Sequence, residues 1–97
     1  MLQIIRSETF DRWLAGLRDR QARARIIKRL QRLALGNAGD VEPVGSGVSE
    51  LRIDYGPGYR VYYTQRGAVI AVILCGGDKR TQHKDIKRAI EMAADLE

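Results

Sequence analysis

Leu51, Ile53 and Tyr55 are apolar at every second position, with Arg52 and Asp54 between them. This is the alternation of a strand with one buried and one exposed face. Tyr59, Val61 and Tyr63 repeat it, leaving Arg60, Tyr62 and Thr64 on the opposite side. Gly56-Pro57-Gly58 separates the two runs and reads as a three-residue hairpin turn. That turn sets an expected register in which Tyr55 faces Tyr59, Asp54 faces Arg60 and Arg52 faces Tyr62, the last four on the open face. Ala68 to Cys75 is continuously apolar, follows Arg66-Gly67 as a two-residue turn, and predicts an interior strand that ends at Gly76-Gly77.

Elsewhere the spacing is helical. Leu2 to Ile5 predicts a short first strand, and Ser7 caps a helix that buries Phe10, Trp13, Leu14 and Leu17. A second helix, about Gln21 to Leu35, turns Ala22, Ile26, Leu30, Leu33 and Ala34 inward. It shows Arg25, Lys28, Arg29 and Arg32 on its outer surface, and Gly36 stops it. Gly36 to Ser49, rich in glycine and carrying Pro43, predicts the longest loop. A final helix from about Lys79 to Asp95 has Ile86, Ala89, Ile90 and Ala93 as its apolar stripe. The order is strand, helix, helix, three strands, helix (β-α-α-β-β-β-α), within one domain spanning residues 1–97.

Charge narrows the function classes. The 97 residues carry 17 Lys and Arg against 12 Asp and Glu, a net of +5, which suits an acidic partner such as nucleic acid or an acidic protein segment. Residues 1–39 hold nine basic and three acidic side chains, a net of +6, whereas residues 40–97 hold eight and nine, a net of −1. Thirteen of the cations are arginines, whose planar fork matches phosphate and carboxylate. Cys75 is the single cysteine, so no internal disulfide forms, a reducing compartment is expected, and packing at a strand end is its expected role. One histidine, one cysteine and dispersed carboxylates give no metal-ligand spacing, and the glycine pairs match no nucleotide-binding loop. The longest apolar run has eight residues, far below the roughly 20 of a membrane-spanning helix, and no secretory leader is visible at the N-terminus.

The chemistry concentrates in Arg52, Arg60, Lys79 and Arg80. The first two lie on the open face of the hairpin, and the last two emerge where the apolar strand ends, beside the same face. Cations converging on one concave surface suit a polyanion better than they suit folding, because like charges repel until something neutralises them. The competing reading is an ordinary cross-strand ion pair between Arg60 and Asp54, contributing roughly 0.2–1 kcal/mol.

The element order, with Glu50-Leu51-Arg52, Gly58-Tyr59-Arg60-Val61-Tyr62-Tyr63 and Cys75-Gly76-Gly77-Asp78-Lys79, resembles the RelE/ParE superfamily of bacterial toxins over essentially the whole chain. More narrowly it is similar to the HigB-like (Gp49-like) addiction module killer proteins. The resemblance implies an α+β fold: a small, mostly antiparallel sheet with the helical hairpin packed on one face, a cationic concave surface on the other, and a C-terminal helix. It implies a cytoplasmic toxin of a type II toxin–antitoxin system, held inactive by a cognate antitoxin, of helix-turn-helix type, in a hetero-oligomer. Many members of that superfamily cleave messenger RNA on translating ribosomes without metal or other cofactor. ParE-type members inhibit DNA gyrase instead, and a degenerate member would only bind its antitoxin. By position, Arg52 and Arg60 match the strand cations of the ribonuclease site, and Lys79, with Arg80, matches the cation after the last strand. The chain departs from the clearest ribonuclease pattern in having no tyrosine after Tyr63; Asp85 stands near where that tyrosine would align.

RNA cleavage by attack of a 2′-hydroxyl on its own adjacent phosphate needs a base, an acid and positive charge where the phosphorane gathers negative charge. Arg60 and Lys79 are the candidates for the charge, and Arg52 and Arg80 for binding a phosphate. Tyr62 is the candidate for stacking a base. His83, the only histidine, is placed in the first turn of the last helix and suits acid or base work; the alternative is an exposed surface histidine. Asp54 would serve as a base but for its expected pairing with Arg60, which would lower its pKa. The Arg25, Lys28, Arg29 and Arg32 face is either an antitoxin contact or a solvated helix surface.

Overall fold

The computed structural model describes residues 1–96. In chain order its elements are β1 (Gln3–Arg6), α1 (Glu8–Gly16), α2 (Arg20–Ala34), β2 (Val41–Gly45), β3 (Val48–Ile53), β4 (Tyr59–Arg66) and β5 (Ile70–Asp78). A 3-10 turn (Lys79–Thr81) then leads into α3 (Gln82–Ala94). The strands form one sheet in the order β1-β5-β4-β3-β2, antiparallel throughout except for the parallel pair β1 and β5. The fold is α+β, as the resemblance implies.

Local chemistry sets the helix limits. The Ser7 hydroxyl accepts the Phe10 N–H at 3.0 Å, and the Asp19 carboxylate accepts those of Gln21 and Ala22 at 2.9 and 3.2 Å, satisfying donors that the first helical turns leave free. Gly36 ends α2 in the left-handed conformation, φ 88°.

Two cores sandwich the sheet. On one face Phe10, Leu14, Ile26, Leu30 and Leu33 of the helical hairpin pack on Leu51, Ile53, Val61, Tyr63 and Ile73. On the other, Ala89 and Ala93 of α3 pack on Val48, Tyr62, Leu74 and Cys75. A bulge pairs Tyr62 with Cys75 and Tyr63 with Ile73, so Leu74 and its neighbour Cys75 both join the α3 core.

The structure corrects the sequence pattern in five places. The predicted loop contains β2, an edge strand that tolerates Pro43 and is joined to β3 by Ser46-Gly47, both at positive φ (54° and 76°) as a two-residue primed turn requires. The β3–β4 register differs: Ile53 faces Tyr59, Arg52 faces Arg60 and Glu50 faces Tyr62, so Asp54 does not face Arg60. Tyr55 has left the strand for the helical hairpin, its hydroxyl 2.8 Å from the Asp19 carboxylate and its ring 4.6 Å beneath the Arg25 guanidinium. Gly76 and Gly77 lie inside β5. A Cβ on Gly76 would overlap the Trp13 indole, and one on Gly77 would overlap the Asp85 carboxylate, so the strand's two faces are crowded there by opposite neighbours. Finally, α3 covers much of the face expected to be open, leaving exposed the end where Arg52, Arg60 and Lys79 meet.

Candidate functional site

Arg52 of β3, Arg60 of β4 and Lys79, the first residue after β5, line one open cleft of about 370 Å³ together with Asp40, Asp54 and Gly58. Antiparallel pairing sets Arg52 directly opposite Arg60, and the pairing of β4 with β5 brings the end of β5 alongside. Gly58, in the left-handed conformation that favours glycine (φ 81°), lies beside the Lys79 stem and the Arg60 guanidinium, which a Cβ there would touch at ordinary contact distance.

Two like charges directly opposite on a sheet repel. The buried neutralising group is Glu50, one pleat behind them on the same strand face, and Glu42 of β2 stands 3.9 Å from Arg52 Nη2 at the exposed side. Glu50 Oε1 accepts from Arg52 Nε at 3.1 Å and lies 3.8 Å from Arg60 Nε; its Oε2 accepts from the Tyr62 hydroxyl at 2.9 Å and from Gln82 Nε2 at 2.9 Å. Burial pushes this carboxyl's pKa up, but the hydrogen bonds from Gln82, Arg52 and Tyr62, with the Arg60 charge, outweigh it and hold the group below the ordinary glutamate value. Burial, followed by the bond to Glu50, pushes the Tyr62 phenol far above its ordinary value.

Arg60 is held more by charge than by hydrogen bonds. Its side chain is 14% exposed, its Nη1 makes only long contacts of 3.4 Å to the carbonyls of Gly58 and Tyr59, and its buried Nε has no hydrogen-bond partner. A guanidinium so placed keeps donors for an anionic ligand. From the helical side, Arg29 donates to the carbonyls of Arg52, Ala38 and Asp40, the last two at 3.0 Å, and so clips α2 to the strand that carries Arg52. Arg29 is accordingly half-buried and is not part of the solvated helix surface expected from the sequence.

The other candidates separate from the cleft. Tyr62 is 0% exposed with its hydroxyl committed to Glu50, so it offers no ring face to a base; α3 covers the position that alternation made exposed. Arg80 is exposed and pairs with Asp78 at 3.3 Å outside the cleft lining. His83 is exposed on α3, also outside that lining. Asp85 is buried against Gly77 and accepts from the Thr81 hydroxyl at 2.5 Å, a packing role at the start of α3. Burial pushes the Cys75 thiol up to about 11, which keeps it protonated and inert at neutral pH. Asp54, freed by the register from Arg60, is exposed and lines the cleft.

Sequence reasoning gave no role to Glu50, Gln82 or Asp40. The available signal was Glu50 itself, sharing a strand face with apolar Val48 and cationic Arg52. Among the described residues no group of three or more His, Cys, Asp and Glu is arranged to hold a metal ion, and no helix is long and apolar enough to cross a membrane.

A family model for phage-derived Gp49-like proteins matches residues 12–96. An uncharacterized protein of Haemophilus influenzae is 50% identical over 95 residues, covering 98% of this chain and 96% of that protein.

Proposed function

We propose that this chain, which belongs to the Gp49-like family of phage-derived proteins, is a RelE/ParE-type toxin of a bacterial type II toxin–antitoxin system and cleaves messenger RNA on the ribosome. The observation that carries the reading is the convergence of Arg52, Arg60 and Lys79 on one cleft, with a buried carboxylate behind them to hold the arginines in place.

In this reading the substrate 2′-oxygen attacks its own 3′-phosphate. The new P–O2′ bond forms as the P–O5′ bond breaks, leaving a cyclic phosphate and a 5′-hydroxyl. Arg52 seats the phosphate, and Arg60 stabilises the charge of the phosphorane. Asp54, an exposed carboxylate of the cleft lining, takes the 2′-proton. Lys79 gives a proton to the departing 5′-oxygen, since arginine does not deprotonate in proteins. Neither His83 nor Tyr62 takes part, and no metal is required by this scheme. The toxin acts in the cytoplasm and is neutralised by an antitoxin.

A second reading, a non-enzymatic ParE-like inhibitor of DNA gyrase, is favoured by one observation: no histidine and no free phenol lines the cleft. Primer extension on a translated messenger RNA in a purified translation system separates the two. Ribosome-dependent cleavage is expected, falling by about 10²–10³-fold in Arg60→Ala and in Lys79→Ala, as when one preorganised donor is removed from a transition-state site. Folded variants that cleave like the parent would overturn the assignment of the site. Growth inhibition by the parent with intact RNA would overturn the nuclease reading in favour of gyrase.

A further inference from the structure

The cleft that gathers Arg52, Arg60 and Lys79 also holds two carboxylates, Asp40 and Asp54. Asp54 is taken up by the proposed chemistry; Asp40 is not. The main chain of Asp40 is held in place, because its carbonyl accepts from the Arg52 N–H and from Arg29 Nη2, both at 3.0 Å. Its side chain is exposed and makes no hydrogen bond or ion pair among the described residues. Glu42, outside the cleft lining, is the carboxylate that stands 3.9 Å from Arg52 on this side. An uncommitted carboxylate on a fixed backbone is a preorganised acceptor.

The strand pairing gives its position. Val41 faces Leu51, so one residue further out Asp40 falls opposite Arg52, which in turn faces Arg60. The three residues therefore lie side by side across the sheet, each step about 4.8 Å. A phosphate seated on Arg52 and Arg60 leaves its nucleoside within reach of Asp40 on the β2 side.

A carboxylate beside a phosphate site repels the anion that the arginines attract. It weakens the binding of every RNA alike unless another part of the nucleotide meets it. The Watson–Crick edges of single-stranded RNA are open to protein, and an ionised carboxylate only accepts hydrogen bonds. Among the four bases guanine presents two adjacent donors on that edge, N1–H and the 2-amino group, which match the two carboxylate oxygens. Adenine and cytosine each set a ring-nitrogen acceptor beside their amino group, and uracil sets N3–H between two carbonyls. In those three an acceptor faces an acceptor.

We infer that Asp40 is a specificity residue that reads the donor edge of a guanine next to the phosphate held by Arg52 and Arg60. The inference rests on the RNA-cleaving reading of the cleft and names a base which that reading leaves open.

The test measures binding apart from cleavage. Labelled 2′-O-methyl oligouridylates lack the attacking hydroxyl and cannot be cut; one central position carries guanine, adenine, hypoxanthine or uracil. Titrated with the full chain and followed by fluorescence anisotropy, the guanine probe is expected to bind about 10-fold more tightly than the other three, near the low end of what a bidentate base contact discriminates. Hypoxanthine is the sharpest comparison, since it differs from guanine only in lacking the 2-amino group. Asp40→Asn keeps the size of the side chain and leaves the main-chain carbonyl in place. It is expected to bring the guanine probe within about twofold of the adenine probe, with circular dichroism as a fold check. A carboxylate that merely repelled phosphate would change all four affinities by one factor and leave their ratios unmoved. In the translation assay the parent's cuts should cluster beside guanines, and those of Asp40→Asn should spread to other bases. Equal binding of guanine and hypoxanthine by the parent, or no measurable binding of any probe, overturns the inference. So does a guanine preference that survives Asp40→Asn, and so do cuts by the parent that ignore guanine. Absence of cleavage with the binding preference intact bears only on the nuclease reading.

Discussion

Replacing Glu50 by Gln keeps the size of the side chain and removes the charge that lets Arg52 and Arg60 sit opposite each other. Breaking a buried ion cluster by removing one partner costs about 3–5 kcal/mol. The lower end applies, because the Arg52 side chain is 37% exposed and can turn to water, whereas Arg60 at 14% has little room to do so. The expected loss is therefore about 3 kcal/mol, roughly 12–24 °C in Tm for a chain of this length. The pH dependence gives an independent check. The folded-state pKa of Glu50 is below its ordinary 4.5, because its hydrogen bonds and neighbouring cation outweigh the effect of burial. As pH falls, the unfolded chain takes up this proton first, so the stabilisation is complete above about pH 4.5 and is lost as pH drops toward the folded-state value. Urea denaturation of parent and Glu50→Gln between about pH 7 and pH 3 should show the parent losing the larger share of its advantage below pH 4.5. Adding Arg60→Met to Glu50→Gln should restore part of the stability, since the stranded cation is gone. A loss below about 1 kcal/mol at neutral pH, or parallel pH profiles for the two proteins, would refute the role of Glu50 as the charge anchor.

Gly76→Ala should destabilise by about 1–3 kcal/mol, because the new methyl displaces Trp13 from β5; a change within about 0.5 kcal/mol in denaturant titration would show that the indole yields freely. Arg29→Met should cost about 2–3 kcal/mol through its three carbonyl partners and speed amide hydrogen exchange around Asp40 and Arg52, whose N–H bonds the Asp40 carbonyl. Unchanged exchange there would mean that backbone pairing alone holds the segment.

The helices and most strands were legible because each rests on short-range chemistry: a cap at Ser7, a glycine stop at Gly36, and apolar stripes of the matching period. β2 was missed because it is short, includes a proline and is bulged, features that only an edge position accommodates; its one clear signal was the Ser46-Gly47 turn. The hairpin register failed for a tertiary reason. Counting from Gly56-Pro57-Gly58 kept Tyr55 in the strand, but the Asp19 carboxylate and the Arg25 guanidinium draw it to α2, lengthening the loop to Asp54–Gly58. The convergence of Arg52, Arg60 and Lys79 was readable from alternation and from the resemblance together. Which open-face residues stay open was not, since the path of α3 decides it, and that path buries Tyr62 while leaving Arg52 at the margin. Glu50 lay hidden because a charged residue on an alternating strand is ordinarily solvated, and only the three-dimensional neighbourhood shows that two cations, a phenol and an amide enclose it.

The pairing of β1 with β5 joins Gln3 to Ile70 and Arg6 to Ile73. During synthesis the first strand must therefore wait, without its partner, until β5 has cleared the ribosome, and β5 is also the strand that delivers Lys79 to the cleft. The cell thus meets the working cleft only after nearly the whole chain has been made. α2 and its cap at Asp19 are built from residues that emerge much earlier, so the helical hairpin is available to the growing chain well before the cleft is assembled.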